Sequence, residues 1–116
     1  MLEYKVIFHI DEINKWKLLL GNVSNLLNGI DNEKLYIEVL ANSEAVKYYD
    51  TNQDLDVDIN TMESLNKKGV KFVACNNALK AYDIKQENII HFIDIVPAGV
   101  VELVKKQSEG YFYLKP

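Results

Sequence analysis

Five short runs of β-forming and apolar residues alternate along this chain with segments of helical periodicity, and this alternation limits the fold more than any other feature. The first run covers residues 4–9, Tyr-Lys-Val-Ile-Phe-His. A helix follows, with Ile13, Trp16, Leu20, Val23 and Leu27 spaced 3, 4, 3 and 4 apart on one face. Asp11 or Asn14 can cap it, and Gly29 fits the position just past its end. Residues 35–40, 70–74, 89–96 and 111–114 read as the other four strands. A short helix starts at Asn42-Ser43-Glu44 and carries Ala45, Val46 and Tyr49. Another spans about residues 60–68, buries Met62 and Leu65, and closes at Gly69. A third covers residues 76–82. The last is opened by Pro97-Ala98-Gly99, carries Val100, Val101, Leu103 and Val104, and ends at Gly110. Helical crossovers between strands require parallel pairing. The expectation is one α/β domain over residues 1–116, with a mostly parallel sheet flanked by helices.

Charge narrows the partners. All 13 basic residues are lysines, and the net charge is −4. Arginine forks and a basic patch, the usual footprint of nucleic-acid binding, are missing, so no nucleic acid is expected. Lys67-Lys68 and Lys105-Lys106 fall near helix ends, where they suit the helix dipole. No apolar run approaches the roughly 20 residues of a membrane span. The first residues lack the basic-then-apolar pattern of a signal peptide. A cytoplasmic protein without membrane contact is expected. Residues 50–58 read as a solvated loop; Asp50, Asp54, Asp56 and Asp58 lie there without the central glycine and closing glutamate of a calcium loop. With one cysteine and two histidines, neither a metal cluster nor an internal disulfide is expected. No GxGxxG, P-loop or GxSxG motif is present, and no cofactor is expected.

In open α/β sheets, ligands bind at the carboxyl ends of the strands. That rule gathers His9 and Asp11, Asn42 and Ser43, Cys75-Asn76-Asn77, and Pro97-Ala98-Gly99 on one rim. Cys75 is the sharpest of these, because it ends a strand and begins a helix. Unpaired N–H groups at a helix start favour an anion. Such positions lower a cysteine pKa from about 8.5 to roughly 3.5–7.5. A buried, inert thiol is the competing reading. His9 is a general base, a thiolate partner or a hydrogen-bonded strand end. His91, within the fourth apolar run, reads as a core histidine. Asp94 on the same run is either a buried carboxylate or an interface residue. Gly99 leaves room for an anion to reach backbone N–H groups, while Pro97 presets the helix start.

These residues resemble a known family. The segments Val6-Ile7-Phe8-His9 with Trp16, Asn22-Val23-Ser24-Asn25-Leu26-Leu27, Phe72-Val73-Ala74-Cys75-Asn76-Asn77-Ala78-Leu79, and Val96-Pro97-Ala98-Gly99-Val100 through Gln107 and Gly110-Tyr111 are similar to the DsrE/DsrF-like family, in its small stand-alone branch. The resemblance implies a three-layer α/β/α fold with a five-stranded sheet, assembly into trimers or hexamers, and a cysteine that accepts persulfide sulfur and passes it on. Cys75 matches that cysteine. His9, Asn42, Ser43, Asn76, Asn77 and Gly99 would then line its ligand site. A sulfur-donor protein becomes an expected partner, and the activity would be that of a sulfur carrier or transferase. One departure stands after the second strand, where Asn42-Ser43 replaces a turn resembling His-Gly. Two other functions compete: a non-catalytic oligomeric module holding a small anion or thiol, and a redox sensor whose oxidised Cys75 needs an outside thiol. Trp16 and the tail Tyr111-Phe112-Tyr113 offer apolar surface for a homo-oligomer.

Overall fold

The computed structural model describes residues 3–30, 34–53 and 55–116, so Asp54 of the aspartate loop lies outside the described residues. Strands β1 (Glu3–Ile10), β2 (Lys34–Ala41), β3 (Lys71–Cys75), β4 (Asp94–Val96) and β5 (Phe112–Leu114) form one sheet. Its order is β4-β3-β2-β1-β5, and every pairing is parallel. The apolar run Val6-Ile7-Phe8 therefore lies on an interior strand, flanked by β2 and β5.

The chain steps outward from β1 to β4, then returns to the far side of β1. Helices α1 (Trp16–Gly29), α2 (Ile59–Lys67) and α3 (Asn76–Ala81), with a 3-10 segment at Ser43–Tyr49, pack on one face around Val6, Phe8, Val39 and Phe72. Among the described residues, helix α4 (Gly99–Ser108) alone crosses the other face, where Leu103 packs on Ile7, Leu40 and Val73. The result is three layers. No helix among the described residues is long and apolar enough to cross a membrane.

Several local expectations change. Trp16 is not a surface residue: it is fully buried, stacked on Tyr48 at 4.6 Å, and its Nε1–H donates to the Ala45 carbonyl at 3.0 Å. Neither Asp11 nor Asn14 caps the first helix. Glu44 reaches across and accepts the Ile13 N–H at 3.0 Å, while Asp11 pairs with Lys115 at 3.3 Å. Gly69 and Gly110 do take left-handed φ values of +102° and +94°, but Gly29 is simply the last residue of α1. Asp50 is not solvated. It is buried and accepts the Asn52 N–H at 2.9 Å.

The fourth strand is the largest correction. Only Asp94–Val96 pairs with β3. The apolar residues before it follow a separate loop, whose Ile90 N–H donates to the Tyr49 carbonyl at 3.0 Å. Ile90 and Ile93 still enter the core, because apolar burial does not require a ladder. Without strand alternation, His91 is exposed rather than core, with its ring against Phe92. Asp94 is exposed as well and lies 3.9 Å from Lys71.

Candidate functional site around Cys75

The connection after β3 runs over one face of the sheet and the connection after β4 over the other. Where adjacent connections part in this way, a crevice opens at the carboxyl ends of the strands. Cys75 is the last residue of β3, and Gly99 is the first of α4. They meet in that crevice, where the Gly99 N–H donates to Cys75 Sγ at 3.2 Å. This corrects the expected donor. Cys75 occupies the cap position of α3, yet its side chain makes no bond to that helix and turns to the start of the next one.

Close approach explains the glycine. A Cβ at position 99 would lie 3.2 Å from the Cys75 Cβ and 3.4 Å from both the Asn42 Cβ and the Leu40 Cδ2. Around this contact opens a cleft of about 580 Å³, lined by Asn42, Ser43, Cys75, Asn77 and Gly99 with Ala78, Tyr82, Ala98 and Val100. No charged side chain lines it among the described residues. Lys47 stands behind one wall, its Nζ 4.5 Å from the centre of the Tyr82 ring. Cys75 is 6% exposed, so a reagent reaches the sulfur only through the cleft.

Four of the six expected ligand residues thus meet at Cys75, and two do not. Asn76 faces elsewhere and accepts from the Gln86 side chain at 3.2 Å. His9 stands behind Asn42: its Nε2 lies 2.9 Å from Asn42 Oδ1, and its Nδ1 lies 2.6 Å from the Tyr113 hydroxyl. Ser43, at the departure from the His-Gly pattern, has φ +48°. That left-handed backbone is the one a glycine adopts without cost.

Residues 21–116 match the family model for the DsrE/DsrF-like family. The chain belongs to this family. The DsrE/DsrF-like fold also appears in solved structures. The protein of unknown function MTH1491 from Methanobacterium thermoautotrophicum is 32% identical, with a TM-score of 0.87 over 98% of this chain and 100% of its own. The ychN protein from E. coli is 18% identical, with a TM-score of 0.72 over 99% of this chain and 100% of its own. The conserved protein of unknown function BT1422 from Bacteroides thetaiotaomicron is 17% identical, with a TM-score of 0.70 over 97% of this chain and 94% of its own. These last two show likeness of fold alone. No curated protein matches the chain.

Two features of this DsrE/DsrF-like chain escape a reading of its sequence. Tyr113 reaches His9 because β1 and β5 pair in a register that sets Ile7 opposite Tyr113. A strand pairing across about a hundred residues leaves no local signal. The other is Glu38, a carboxylate 2% exposed beneath α4. Among the described residues, no three His, Cys, Asp or Glu side chains gather closely enough to hold a metal ion.

Proposed function

We propose that this chain is a sulfur carrier, in which Cys75 takes up a sulfane sulfur as a persulfide and hands it on. The observation that supports this most is the Gly99 N–H donated to Cys75 Sγ at 3.2 Å inside an open cleft that, among the described residues, no carboxylate lines. A backbone N–H at the start of a ten-residue helix favours negative charge on the sulfur. The thiolate is the nucleophilic form. It attacks the outer sulfur of a protonated donor persulfide; the new S–S bond forms on Cys75 as the donor's S–S bond breaks, and the donor leaves as a thiolate that takes up the proton of the transferred sulfur. No oxidant or general base is consumed. The Cys75 persulfide is again an anion, so the same N–H serves the empty and the loaded carrier. Asn42, Ser43 and Asn77 line the space the extra sulfur would occupy. With one cysteine in the chain, the sulfur cannot be lost through an internal disulfide, and it leaves only to an outside acceptor that reaches the cleft. Membership of the DsrE/DsrF-like family agrees with this chemistry.

The test is intact mass spectrometry after incubation with a cysteine desulfurase and cysteine. Native protein should gain the mass of one sulfur atom, lost again on reduction, and Cys75→Ser should gain none. If Cys75 alkylates freely yet takes no sulfur from desulfurase, thiosulfate or polysulfide, the carrier reading fails.

The chain is also proposed to form a homo-oligomer, a trimer or hexamer. On the outer side of α4, Val100 is 65% and Val104 68% exposed, and Phe112 on the edge strand β5 is 64% exposed. Exposed apolar side chains on α4 and on the edge strand favour association. Light scattering coupled to gel filtration should report a mass three or six times that of the chain, and Val104→Lys should lower it. A native monomer at micromolar concentration would end this reading.

A further inference from the structure

We propose that Tyr113 and His9 are positioning residues that aim the side-chain amide of Asn42 at Cys75, making the cleft selective for an anionic group beside the sulfur. The proposal rests on the sulfur-carrier reading for its purpose but not for its test. Asn42 Oδ1 can only accept, so the 2.9 Å contact requires a proton on His9 Nε2. In the neutral ring that leaves Nδ1 as an acceptor, and the Tyr113 hydroxyl at 2.6 Å donates to it. A phenol is a better donor than acceptor, and an imidazole nitrogen is a strong acceptor, so this direction satisfies both groups best. In the doubly protonated ring, Nε2–H still points at Asn42.

The consequence lies at the far end of the chain of contacts. With its oxygen held by His9, Asn42 keeps its Nδ2 hydrogens for the cleft, which its side chain lines together with Cys75 and Gly99. The cleft beside Cys75 then offers an anionic group two donors, the Gly99 N–H on the sulfur and the Asn42 amide on the lining. If His9 carried its proton on Nδ1 instead, Nε2 would accept from Asn42 Nδ2, and the amide oxygen would turn into the cleft. An oxygen there repels a persulfide or the charged tail of a thiolate donor. The Tyr113 hydroxyl selects against that state.

The relative rates of Cys75 alkylation by iodoacetate and by iodoacetamide at pH 8 read this arrangement directly, because the reagents differ mainly in charge. A neutral hydrogen bond is worth about two- to tenfold in such a ratio. His9→Leu should lower the iodoacetate-to-iodoacetamide ratio by about three- to tenfold. Tyr113→Phe should lower it by about two- to threefold, by the same hydrogen-bond scale. His9→Gln, which keeps an N–H donor toward Asn42, should restore most of it. Nitrogen NMR of His9 should show Nε2 protonated and Nδ1 unprotonated in the neutral native ring. Lys47 is common to all variants and cancels. A ratio unchanged in both His9→Leu and Tyr113→Phe, or a native ring protonated on Nδ1, overturns the proposal. Failure of the carrier reading appears elsewhere, as native protein that gains no sulfur, and leaves the ratio readable. If His9→Leu does not fold, Tyr113→Phe, which alters one exposed strand residue, decides alone.

Discussion

Raising the pH from about 4.5 to 8 should cost the fold on the order of 3–5 kcal/mol, and Glu38→Gln should abolish most of that loss. Glu38 is on β2 and 2% exposed, under α4. No N–H or O–H donor among the described residues reaches either carboxylate oxygen, and Lys106 Nζ stops at 3.9 Å. Lys5, on the neighbouring strand, turns instead to the Glu109 carbonyl. Burial foremost, then the neighbouring Glu102 carboxyl, raise the pKa from 4.5 to about 8; Lys106 and Lys71 oppose the rise without cancelling it. The sign follows. Above pH 4.5 the unfolded chain releases this proton while the folded chain must keep it, so the folded state binds more protons and stability falls as pH rises. The loss is complete once the pH passes the folded value, near 8. Since domains of this size are held by only about 5–15 kcal/mol, the effect is a large share of the whole. Denaturant melts at pH 5, 6.5 and 8 measure it. A native protein equally stable at all three, or a slope that persists in Glu38→Gln, would refute this assignment.

Glu38 also marks the limit of what the sequence discloses. Residues 35–40 read correctly as a strand, but Leu-Tyr-Ile-Glu-Val-Leu does not say which face a helix will cover. Alternation would put Glu38 toward water; the return of the chain to β5 brings α4 across it instead. The same return brings Tyr113 to His9. Local signals fared better. Gly69 and Gly110 were legible because a left-handed residue after a helix leaves a compositional mark, and Cys75 and Gly99 were legible because strand ends in a parallel sheet share one rim. Residues 89–93 misled because burial and strand pairing usually coincide, and here Ile90 and Ile93 are buried while pairing is limited to one antiparallel bridge between Ile89 and Asp50 outside the sheet. Trp16 misled in the opposite direction, since its indole finds an internal partner in Ala45.

Gly99→Ala should slow sulfur loading of Cys75 by about two- to tenfold, the scale of one hydrogen bond, and lower stability by about 1–3 kcal/mol, the usual cost of overpacking a filled contact. The added methyl would start 3.2 Å from the Cys75 Cβ. That atom is fixed by β3, and the Asn42 and Leu40 atoms at 3.4 Å block a sideways escape. Helix α4 must therefore lift at its first turn, which lengthens the Gly99 N–H···Sγ contact from 3.2 Å. The longer and more tilted the N–H···Sγ bond becomes, the less it stabilises charge on the sulfur. The control is Gly21→Ala. Gly21 is inside α1 with nothing within 4 Å of a Cβ, so this change should instead stabilise by about 0.5–1 kcal/mol through helix propensity and leave loading untouched. Thermal melts and timed mass spectra of the two variants separate backbone preference from crowding at the sulfur. If Gly99→Ala melts and loads like the native protein, the start of α4 does not hold charge on Cys75, and the cleft needs another source of reactivity.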